Sequence, residues 1–505
     1  MTDLPPPLPG EEQRLHPWSW LFALQQQVQQ FLLPLLALVV FGSRRDDDVP
    51  YHHWISTAVV VALVVAAVLQ YVSYRYRIGA DALSIRSGIF ERTRREIPFA
   101  RIHNVVVHQN LLHRMFGVAV LRLESAAGDK PEAEMRVLKL DQALELERLI
   151  RHGGSTAAAA DADPAAASDG QVLLTLPLPE LIRQGLISNR AMVVIAAAIG
   201  ASYQLFPRQV TSDFVEEQGR HAFGYASQLQ LGTLTLVISS VLLLAFALLL
   251  MRLLSIGLAI VQYHGFRLIE IDRRLTVERG LLTRVRSSVA RRRIQAWTLR
   301  EGALHRLFNR RQLRVDIVGG GQQQEQDGRA LKELAPLATP ATCDTLLQHL
   351  LPELQWPPSQ WRPVTSRGWW RLCLPALVLT GILSAVLVYE TGRWFGLLPL
   401  LWLPWSALNA YRQVTRIGYS IDAQRVAIRG GWWNRWWRVA ELDKLQALRL
   451  DRSPLDRRFG TATLTLDTAG AGGAPPLQLR FLDEAQAREL MAQLEREMVR
   501  RKLRW

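Results

Sequence analysis

The sequence predicts an α+β membrane protein in which three transmembrane helical hairpins, six spans in all, are each followed by a small β-sandwich or barrel with a C-terminal helix. Two observations predict this fold class. The 505-residue chain is 49% hydrophobic, and its apolar residues are concentrated in long runs with few charges. One 42-residue pattern also occurs three times, each time after a pair of these runs. The distribution excludes a simple soluble enzyme, and the composition excludes collagen-like, disulfide-scaffold and wholly disordered chains.

The candidate spans are six apolar segments. A helix needs about 20 apolar residues to cross roughly 30 Å of hydrocarbon. The first segment is the weakest because glutamines at 25–30 interrupt it, and the fourth contains one charge, Arg252. A buried core helix is the alternative interpretation of the first and third segments, although each is paired with a stronger candidate. The six segments are 18–41, 54–72, 191–206, 229–261, 372–388 and 394–410.

The distribution of arginine predicts the orientation of the hairpins. The loops within the three pairs carry five of the 60 Lys and Arg residues, whereas the flanks on the other side of the pairs carry many more. Basic residues close to the ends of spans remain in the cytoplasm. Both termini and all three β domains are therefore expected to be cytoplasmic.

The repeated unit is the most specific feature of the sequence. Residues 83–124 align without a gap with 275–316, at twelve identical positions of 42, and also with 426–467. A fixed repeat of this kind indicates one structural unit used several times. The positions identical in all three copies are Gly88/Gly280/Gly431, Arg92/Arg284/Arg435, Leu112/Leu304/Leu455, Arg114/Arg306/Arg457, Phe116/Phe308/Phe459 and Leu121/Leu313/Leu464.

Alternating apolar and polar residues predict that each unit is mainly β, with the shared glycine in a tight turn between two strands. A helical segment then ends each unit, at 141–151, 346–354 and 483–502. In the third of these, Leu490 and Leu494 belong to one apolar stripe at helical spacing. A small sheet with one C-terminal helix is therefore expected three times.

Three motifs of the first copy carry a family resemblance: L-x-I-x-x-G-I-F at 83–90, I-P-F-A-R-I-H-N-V at 97–105 and L-L-H-R-M-F-G at 111–117. With these motifs the unit resembles the domain of the bacterial pleckstrin-homology-like (YdbS/YdbT-type) membrane protein family. The three-copy, six-span arrangement is similar to the longer, YdbT-like members over nearly the whole chain. The resemblance implies a PH-like β-sandwich or strongly bent barrel in the bacterial inner membrane, with no established catalytic activity. The second and third copies depart from the pattern where the first has 97–99, so they are expected to keep the fold while differing in ligand.

The expected domain organisation alternates membrane hairpins and PH-like domains, with one Ala-, Asp- and Gly-rich linker. Its segments are an N-terminal tail 1–17, hairpin 18–72, PH-like domain 73–152, flexible linker 153–170, hairpin 171–263, PH-like domain 264–351, hairpin 352–411 and PH-like domain 412–505.

Arginine and tryptophan near the shared glycine form the candidate binding surface. Tryptophan favours the membrane interface, arginine can hold phosphate with a bidentate fork, and the cytoplasmic leaflet is anionic. Two interpretations remain open: docking on lipid headgroups or partners, and a solvated basic face that merely reflects cytoplasmic topology. The candidates are Arg92, Arg94, Arg95, Arg284, Arg286, Arg291, Arg292, Arg293, Arg435, Arg438, Trp432, Trp433, Trp436 and Trp437.

The sequence favours a non-enzymatic integral membrane protein whose three PH-like domains act as a scaffold that binds anionic lipid headgroups or protein partners. No phosphate-loop, nucleophile-elbow or zinc-protease motif occurs, so no catalytic residue, metal site or cofactor is predicted. The expected partners are lipids of the anionic cytoplasmic leaflet and, by resemblance, a shorter family member or another membrane protein, but not nucleic acid.

The alternative is a transporter or lipid-handling protein with its working site among the six spans. Arg252 is the intramembrane polar candidate for such a site, since an arginine at bilayer depth is expensive and usually functional. The other interpretation is that a long helix extends beyond the hydrocarbon and that Arg252 snorkels towards one face.

Overall fold

The computed structural model describes three similar β modules and the membrane segments between them. It covers residues 12–14, 72–125 except 80 and 89–91, 133–151, 170–205, 233–317, and 329–500 except 353, 423 and 469–476, with a few isolated residues elsewhere. The predicted spans 18–41 and 54–72 and the predicted linker 153–170 lie almost entirely outside these residues.

Module 1 has two antiparallel sheets that face a common core, closed by a C-terminal helix. The helix contributes Ala143, Leu146 and Ile150 to this core. The elements are β1 (Glu12–Arg14), β2 (Arg75–Ile78), β3 (Ala82–Ser87), β4 (Thr93–Pro98), the 3-10 helix η1 (Phe99–Arg101), β5 (Ile102–Gln109), α1 (Leu111–Met115), β6 (Val118–Ser125), β7 (Ala133–Lys139) and α2 (Leu140–Arg151).

Module 2 repeats this arrangement around a set of membrane helices. A strand precedes those helices and another follows them. The elements are β8 (Gln171–Thr175), α3 (Leu178–Ile187), α4 (Arg190–Leu205), α5 (Thr233–Tyr263), β9 (Arg267–Ile271), β10 (Arg274–Arg279), β11 (Arg284–Ala290), η2 (Arg291–Arg293), β12 (Ile294–Glu301), α6 (Ala303–Leu307), β13 (Arg311–Ile317), α7 (Arg329–Lys332), β14 (Glu333–Ala338) and α8 (Pro340–Leu350).

Module 3 has the same order of elements. The segments of its predicted hairpin combine 3-10 and α-helix. The elements are β15 (Arg362–Pro363), η3 (Ser366–Cys373), α9 (Leu374–Thr391), η4 (Trp394–Leu401), α10 (Trp402–Arg416), β16 (Gly418–Ile421), β17 (Arg425–Gly430), β18 (Arg435–Glu441), η5 (Leu442–Lys444), β19 (Leu445–Asp451), α11 (Pro454–Phe459), β20 (Thr461–Thr468), β21 (Leu477–Asp483) and α12 (Glu484–Arg500).

The shared order of elements confirms the triplication that the sequence predicted. The glycine after the third strand of each module has a positive φ, 101° at Gly88, 113° at Gly280 and 73° at Gly431. Glycine adopts such values without steric cost, which explains why this residue recurs at the turn.

Strand pairing joins the modules into one continuous array. β11 of module 2 pairs with β5 of module 1, and β18 of module 3 pairs with β12 of module 2. The resulting seven-stranded sheets have the orders β7-β6-β5-β11-β10-β9-β8 and β14-β13-β12-β18-β17-β16-β15. A four-stranded sheet, β1 to β4, and a three-stranded sheet, β19 to β21, lie at the two ends. No pattern in the sequence predicted these shared sheets.

Only two helices among the described residues are long and apolar enough to cross a membrane, Val237–Tyr263 and Gly368–Thr391. A third span results if the pair α3 and α4, bent by 56°, counts as one. The six expected spans are therefore not found in the described part of the chain. The sixth predicted segment, 394–410, is divided between η4 and α10, and η4 contains Pro399. Proline removes a hydrogen-bond donor and clashes with the preceding turn, which explains why this segment is not one straight helix.

Candidate functional site

The two junctions between modules use the same register. At the first, Arg284 lies opposite Gln109 and Ser287 opposite Val106. At the second, Arg435 lies opposite Glu301 and Arg438 opposite Thr298, which are the equivalent positions of the next modules. The junction is therefore a repeated interface with a fixed geometry.

An arginine shared by all copies donates a hydrogen bond across each junction. The positions identical in all three copies include Arg114 and Arg306, which precede the shared phenylalanine. Arg114 donates from Nη1 to the carbonyl oxygen of Leu281 at 3.2 Å, and Arg306 donates from Nη2 to that of Trp433 at 3.3 Å. Both acceptors lie in the turn after the shared glycine of the following module, so this arginine braces the neighbouring module's turn.

These turns carry an apolar tip that lies beside a helix of the predicted membrane hairpin. In module 2, the Leu281 amide donates to the carbonyl oxygen of Val261 near the end of α5, and 46% of Leu282 is exposed. In module 3, the Trp432 and Trp433 rings each lie 6.1 Å from the ring of Trp405 in α10. The sequence analysis missed this common feature, although each copy has an apolar pair directly after the shared glycine: Ile89-Phe90, Leu281-Leu282 and Trp432-Trp433.

The module 3 tip borders a cavity of about 640 Å³ lined by aromatic and amide side chains. Arg412 lies 6.0 Å above the Trp432 ring, and Trp433 is 51% exposed. Cation–π contacts of this kind attract a guanidinium to an indole face. An exposed indole beside a basic side chain at the end of a membrane segment is suited to the headgroup region.

The glycine of the turn leads to a testable prediction. A Cβ on Gly280 would overlap the carbonyl oxygen of Thr283, and the positive φ is itself unfavourable for other residues. We expect Gly280→Ala to destabilise the full chain by about 1–3 kcal/mol, measured by denaturant unfolding of the purified protein in detergent. Gly257→Ala is the matched control because a Cβ there meets no atom within 4 Å. Equal stability of the two variants would contradict the prediction.

The structure divides the predicted arginines into an exposed group and an engaged group. Arg92 and Arg94 beside or within β4 are exposed, as is Arg292 in η2, and the Arg284 side chain is 56% exposed although it lies 3.7 Å from Glu278. These four remain accessible to an anionic ligand. Arg95 is also exposed and Arg293 is half-buried.

The remaining arginines form ion pairs, several of which cross a junction. Arg286 lies 3.5 Å from Glu147 of module 1, and Arg435 lies 3.9 Å from Glu301 of module 2. Arg291 pairs with Glu270 at 2.8 Å. Arg438 is fully buried and pairs with Asp316 of module 2, so it is an interdomain residue and is not accessible to a headgroup.

The two remaining tryptophans also pack within the fold. Trp436 packs against Gly430 and belongs to the apolar surroundings of module 3. Trp437 lies between two guanidinium groups, 4.8 Å from Arg311 and 5.5 Å from Arg416. Both are half-buried, so their contribution is to packing at the second junction.

A basic cavity of about 930 Å³ lies at the second junction. Both modules supply its walls, with Arg291 and Arg292 on one side and Arg425 on the other. Asp272 and Glu441 also line the cavity, so it is not uniformly basic. Among the described residues, no group of three or more His, Cys, Asp and Glu side chains could hold a metal ion.

Arg252 donates hydrogen bonds to residues at the break between α3 and α4. Its Nη1 donates to the carbonyl oxygens of Leu186 at 3.2 Å and Ser188 at 3.4 Å, and to Oδ1 of Asn189 at 3.3 Å. The last carbonyls of a helix lack partners within the helix and carry partial negative charge. Arg252 therefore stabilises the bent pair of helices.

Replacing Arg252 with leucine should remove this support. We expect Arg252→Leu to lower the free energy of unfolding by about 1–3 kcal/mol because the two partly buried carbonyl oxygens of Leu186 and Ser188 lose their donor. Arg252→Lys should retain part of the stability, since an ammonium can serve one or two of these acceptors. Denaturant unfolding in detergent measures both, and a neutral Arg252→Leu variant would contradict the structural role.

Acidification should lower the free energy of unfolding through His108, which lies at the first junction opposite Val285. Burial, reinforced by the positive charge of Arg122 and by His113, lowers the pKa of His108 to about 3 from the ordinary 6.5. The unfolded chain takes up a proton below pH 6.5 while folded His108 stays neutral, so stability is present above 6.5 and is lost as the pH falls towards 3. At pH 5 the loss is about 2 kcal/mol. We expect His108→Leu to reduce the stability difference between pH 7.5 and pH 5 by that amount; an unchanged difference would contradict this.

A buried network that the sequence analysis also missed couples the membrane helices to module 2. Tyr263 at the end of α5 donates to Glu333 of β14, and Arg279 lies 3.2 Å from the same carboxylate. Arg314 donates to its other oxygen at 2.9 Å, and Arg190 of α4 lies 3.7 Å away. The three arginines hold the pKa of the Glu333 carboxyl below its usual range despite its burial. A sequence pattern could not reveal this network, because its members are separated by up to 143 positions.

Comparison with known proteins agrees with the triplication. The family model described as "Bacterial PH domain" matches residues 30–153, 227–340 and 373–498. The UPF0699 transmembrane protein YdbT of Bacillus subtilis (strain 168) is 21% identical over 495 residues, which cover 95% of this chain and 97% of the relative. No solved structure matches the chain.

Proposed function

The chain belongs to the bacterial PH domain family, and on this basis we propose that it is a non-enzymatic membrane scaffold whose three modules bind anionic lipid headgroups on the cytoplasmic face of the bacterial inner membrane. It is a membrane-associated protein of the YdbT type, and the relative's name describes a transmembrane protein. Protein partners are a second class of ligand for the same modules.

The strand pairing supports a location of all three modules on one side of the bilayer. β1 and β2, β8 and β9, and β15 and β16 are hydrogen-bonded pairs, and the membrane segments lie between the members of each pair. A chain that leaves and returns to adjacent strands must cross the bilayer an even number of times or not at all. Because the modules share sheets, they also share a side.

Three hairpins with six crossings are the simplest arrangement that satisfies this pairing. The return segment of the third hairpin is long enough despite Pro399. Eight residues of 3-10 helix at about 2.0 Å per residue and fifteen of α-helix at about 1.5 Å per residue extend roughly 38 Å. The hydrocarbon core is about 30 Å thick.

The contact of Trp432 and Trp433 with Trp405 of α10 is the single observation that carries the headgroup proposal. It places an apolar module tip against a membrane segment, with Arg412 above it. Each cation near an anionic leaflet contributes about 1 kcal/mol of attraction. The exposed Arg94 and Arg284 lie on β4 and β11, the strands that follow the shared glycine, and the exposed Arg92 directly precedes β4.

Lipid binding can be tested on the full chain in detergent. Phosphatidylglycerol should raise the unfolding temperature more than phosphatidylcholine, because a ligand that binds only the folded state stabilises it. The triple variant Arg92→Gln, Arg94→Gln and Arg284→Gln should bind phosphatidylglycerol about 100-fold more weakly, at about 1 kcal/mol per cation.

Arg496→Gln on α12 is the control, since this exposed arginine donates a hydrogen bond to Ala492 of its own helix. Equal stabilisation by the two lipids, or an equal response of the triple variant and the control, would refute the headgroup proposal.

The contacts of Arg252 argue against the alternative, a transporter with its working site among the spans. The guanidinium serves the carbonyls of a helix break, so its presence in an apolar helix has a structural explanation. The other motivation for a transporter, the glutamines at 25–30, lies outside the described residues.

A further inference from the structure

The array of modules ends in two strands that are equivalent to those paired inside it. β4 corresponds to β11 and β18, and β19 corresponds to β5 and β12. In the described part of the chain, β4 pairs only with β3, and β19 pairs only with β20. The first four residues of β4, 93–96, are all exposed, whereas at the equivalent positions 285–288 of β11 and 436–439 of β18 two residues are half-buried and two are buried. We infer that β4 of one chain pairs with β19 of a second copy, which adds a third junction of the same kind.

The internal register predicts the contacts of this third junction. In module 1 numbering, both internal junctions pair the position of Arg92 in one module with that of Gln109 in the preceding module, and the position of Arg95 with that of Val106. Applied to the ends, it places Thr93 of one copy opposite Asp451 of another. An unpaired strand edge is a template for a further strand, and the identical register makes an equivalent module edge the partner that fits it.

A charge pair at the two ends supports a second copy of this chain as the occupant. The second junction contains Arg438 and Asp316, buried together. The equivalent residues at the ends are Arg95 on β4 and Asp467 on β20, and both are exposed. Joining the ends therefore recreates the same arginine–aspartate pair between two chains. The first junction has Ser287 and Glu124 at these positions, so the ends resemble the second junction.

The hydrogen bonds of the shared arginine are an independent indication that a second copy follows module 3. Arg114 and Arg306 each donate to the turn of the following module. The third member of the set, Arg457 in module 3, is exposed, and among the residues that the structure describes its guanidinium donates to no following module. In the inferred junction, module 1 of a second copy takes the place of the following module that Arg114 and Arg306 each contact.

One contact of the proposed junction is unfavourable and makes a useful probe. The register places Arg92 opposite Arg452, where the second junction has Arg435 opposite Glu301. Like charges directly opposite each other in a sheet are destabilising. Arg452→Glu would restore the opposite-charge arrangement and should strengthen the association.

The association is heterologous, with different edges on the two copies. Such contacts close into a ring when the rotation between copies permits, and otherwise continue as a filament. The membrane restricts the rotation to one about its normal, because all modules of all copies must remain on one side.

Disulfide cross-linking in native membranes tests the inference. Two differently tagged full chains are co-expressed, both with Cys343→Ala and Cys373→Ala, one with Thr93→Cys and the other with Asp451→Cys. We expect a reducible heterodimer on oxidation. A chain with Arg488→Cys on the exposed side of α12 replaces the second partner as the control and should give none.

Absence of the adduct, or its formation only when both cysteines are in one chain, would overturn the inference; the second result would mean that the array closes on itself. An adduct with another protein instead would assign the edge to a different module-bearing partner and would also overturn it.

Mass measurement in mild detergent provides a second readout. Arg95→Asp should reduce the oligomer at least tenfold, and adding Asp467→Arg should restore it. Equal masses for all variants would contradict the proposed pair. Neither readout depends on lipid composition, so failure here is distinguishable from failure of headgroup binding.

Discussion

Replacing Glu333 with alanine is expected to destabilise the chain by about 3–5 kcal/mol. The variant leaves Arg279, whose side chain is 4% exposed, without the carboxylate that lies 3.2 Å away. Removing one partner of a buried ion pair is costly because the remaining charge stays buried without compensation. Tyr263 and Arg314 lose their acceptor as well.

Denaturant unfolding of the purified full chain measures this effect. Glu495→Ala is the matched control because Glu495 is exposed on α12. Hydrogen exchange should also increase near the C-terminal end of α5, since Tyr263 connects this helix to β14. A loss below about 1 kcal/mol would show that the network does not couple the membrane helices to module 2.

Replacing Arg438 with alanine should have a similarly large effect, at the junction of modules 2 and 3. Arg438 is fully buried, and its loss leaves Asp316 buried without its cation. We expect a loss of about 3–5 kcal/mol. The double variant Arg438→Met and Asp316→Leu should recover most of it, because apolar residues of similar size can replace a buried pair at little cost.

Comparison with a surface pair provides the control for this prediction. Arg449 and Asp451 lie 2.7 Å apart with exposed fractions of 76% and 44%. Arg449→Ala should change stability by no more than about 1 kcal/mol, since exposed pairs contribute little. If Arg438→Ala and Arg449→Ala were equally mild, the buried pair would not hold the junction together.

The repeated unit could be predicted from sequence because its signals are local. The glycine at 88, 280 and 431 is required by a positive φ, and the alternation around it specifies two strands. The C-terminal helix of module 3 could likewise be predicted from the stripe that contains Leu490 and Leu494, both of which are buried.

The shared sheets could not be predicted, because pairing between strands about 180 positions apart at the first junction and about 140 apart at the second leaves no local pattern. The same limit applies to the assignment of arginines. Arg95 and Arg438 occupy equivalent positions in the repeat, yet one is exposed and the other is fully buried, since in the described part of the chain only the strand of Arg438 is paired with a strand of a preceding module. Equivalent residues therefore have different environments according to the place of their module in the array.

The claim that three joined modules lie on the cytoplasmic face is tested most directly by cysteine labelling in intact spheroplasts. A chain with Cys343→Ala and Cys373→Ala receives one new cysteine at a time, by Arg94→Cys, Arg292→Cys or Arg449→Cys in modules 1 to 3, or by Arg393→Cys between α9 and η4; all four native side chains are exposed. A membrane-impermeant maleimide should label only Arg393→Cys before lysis and all four after it. Labelling of any module site in intact spheroplasts would contradict the account.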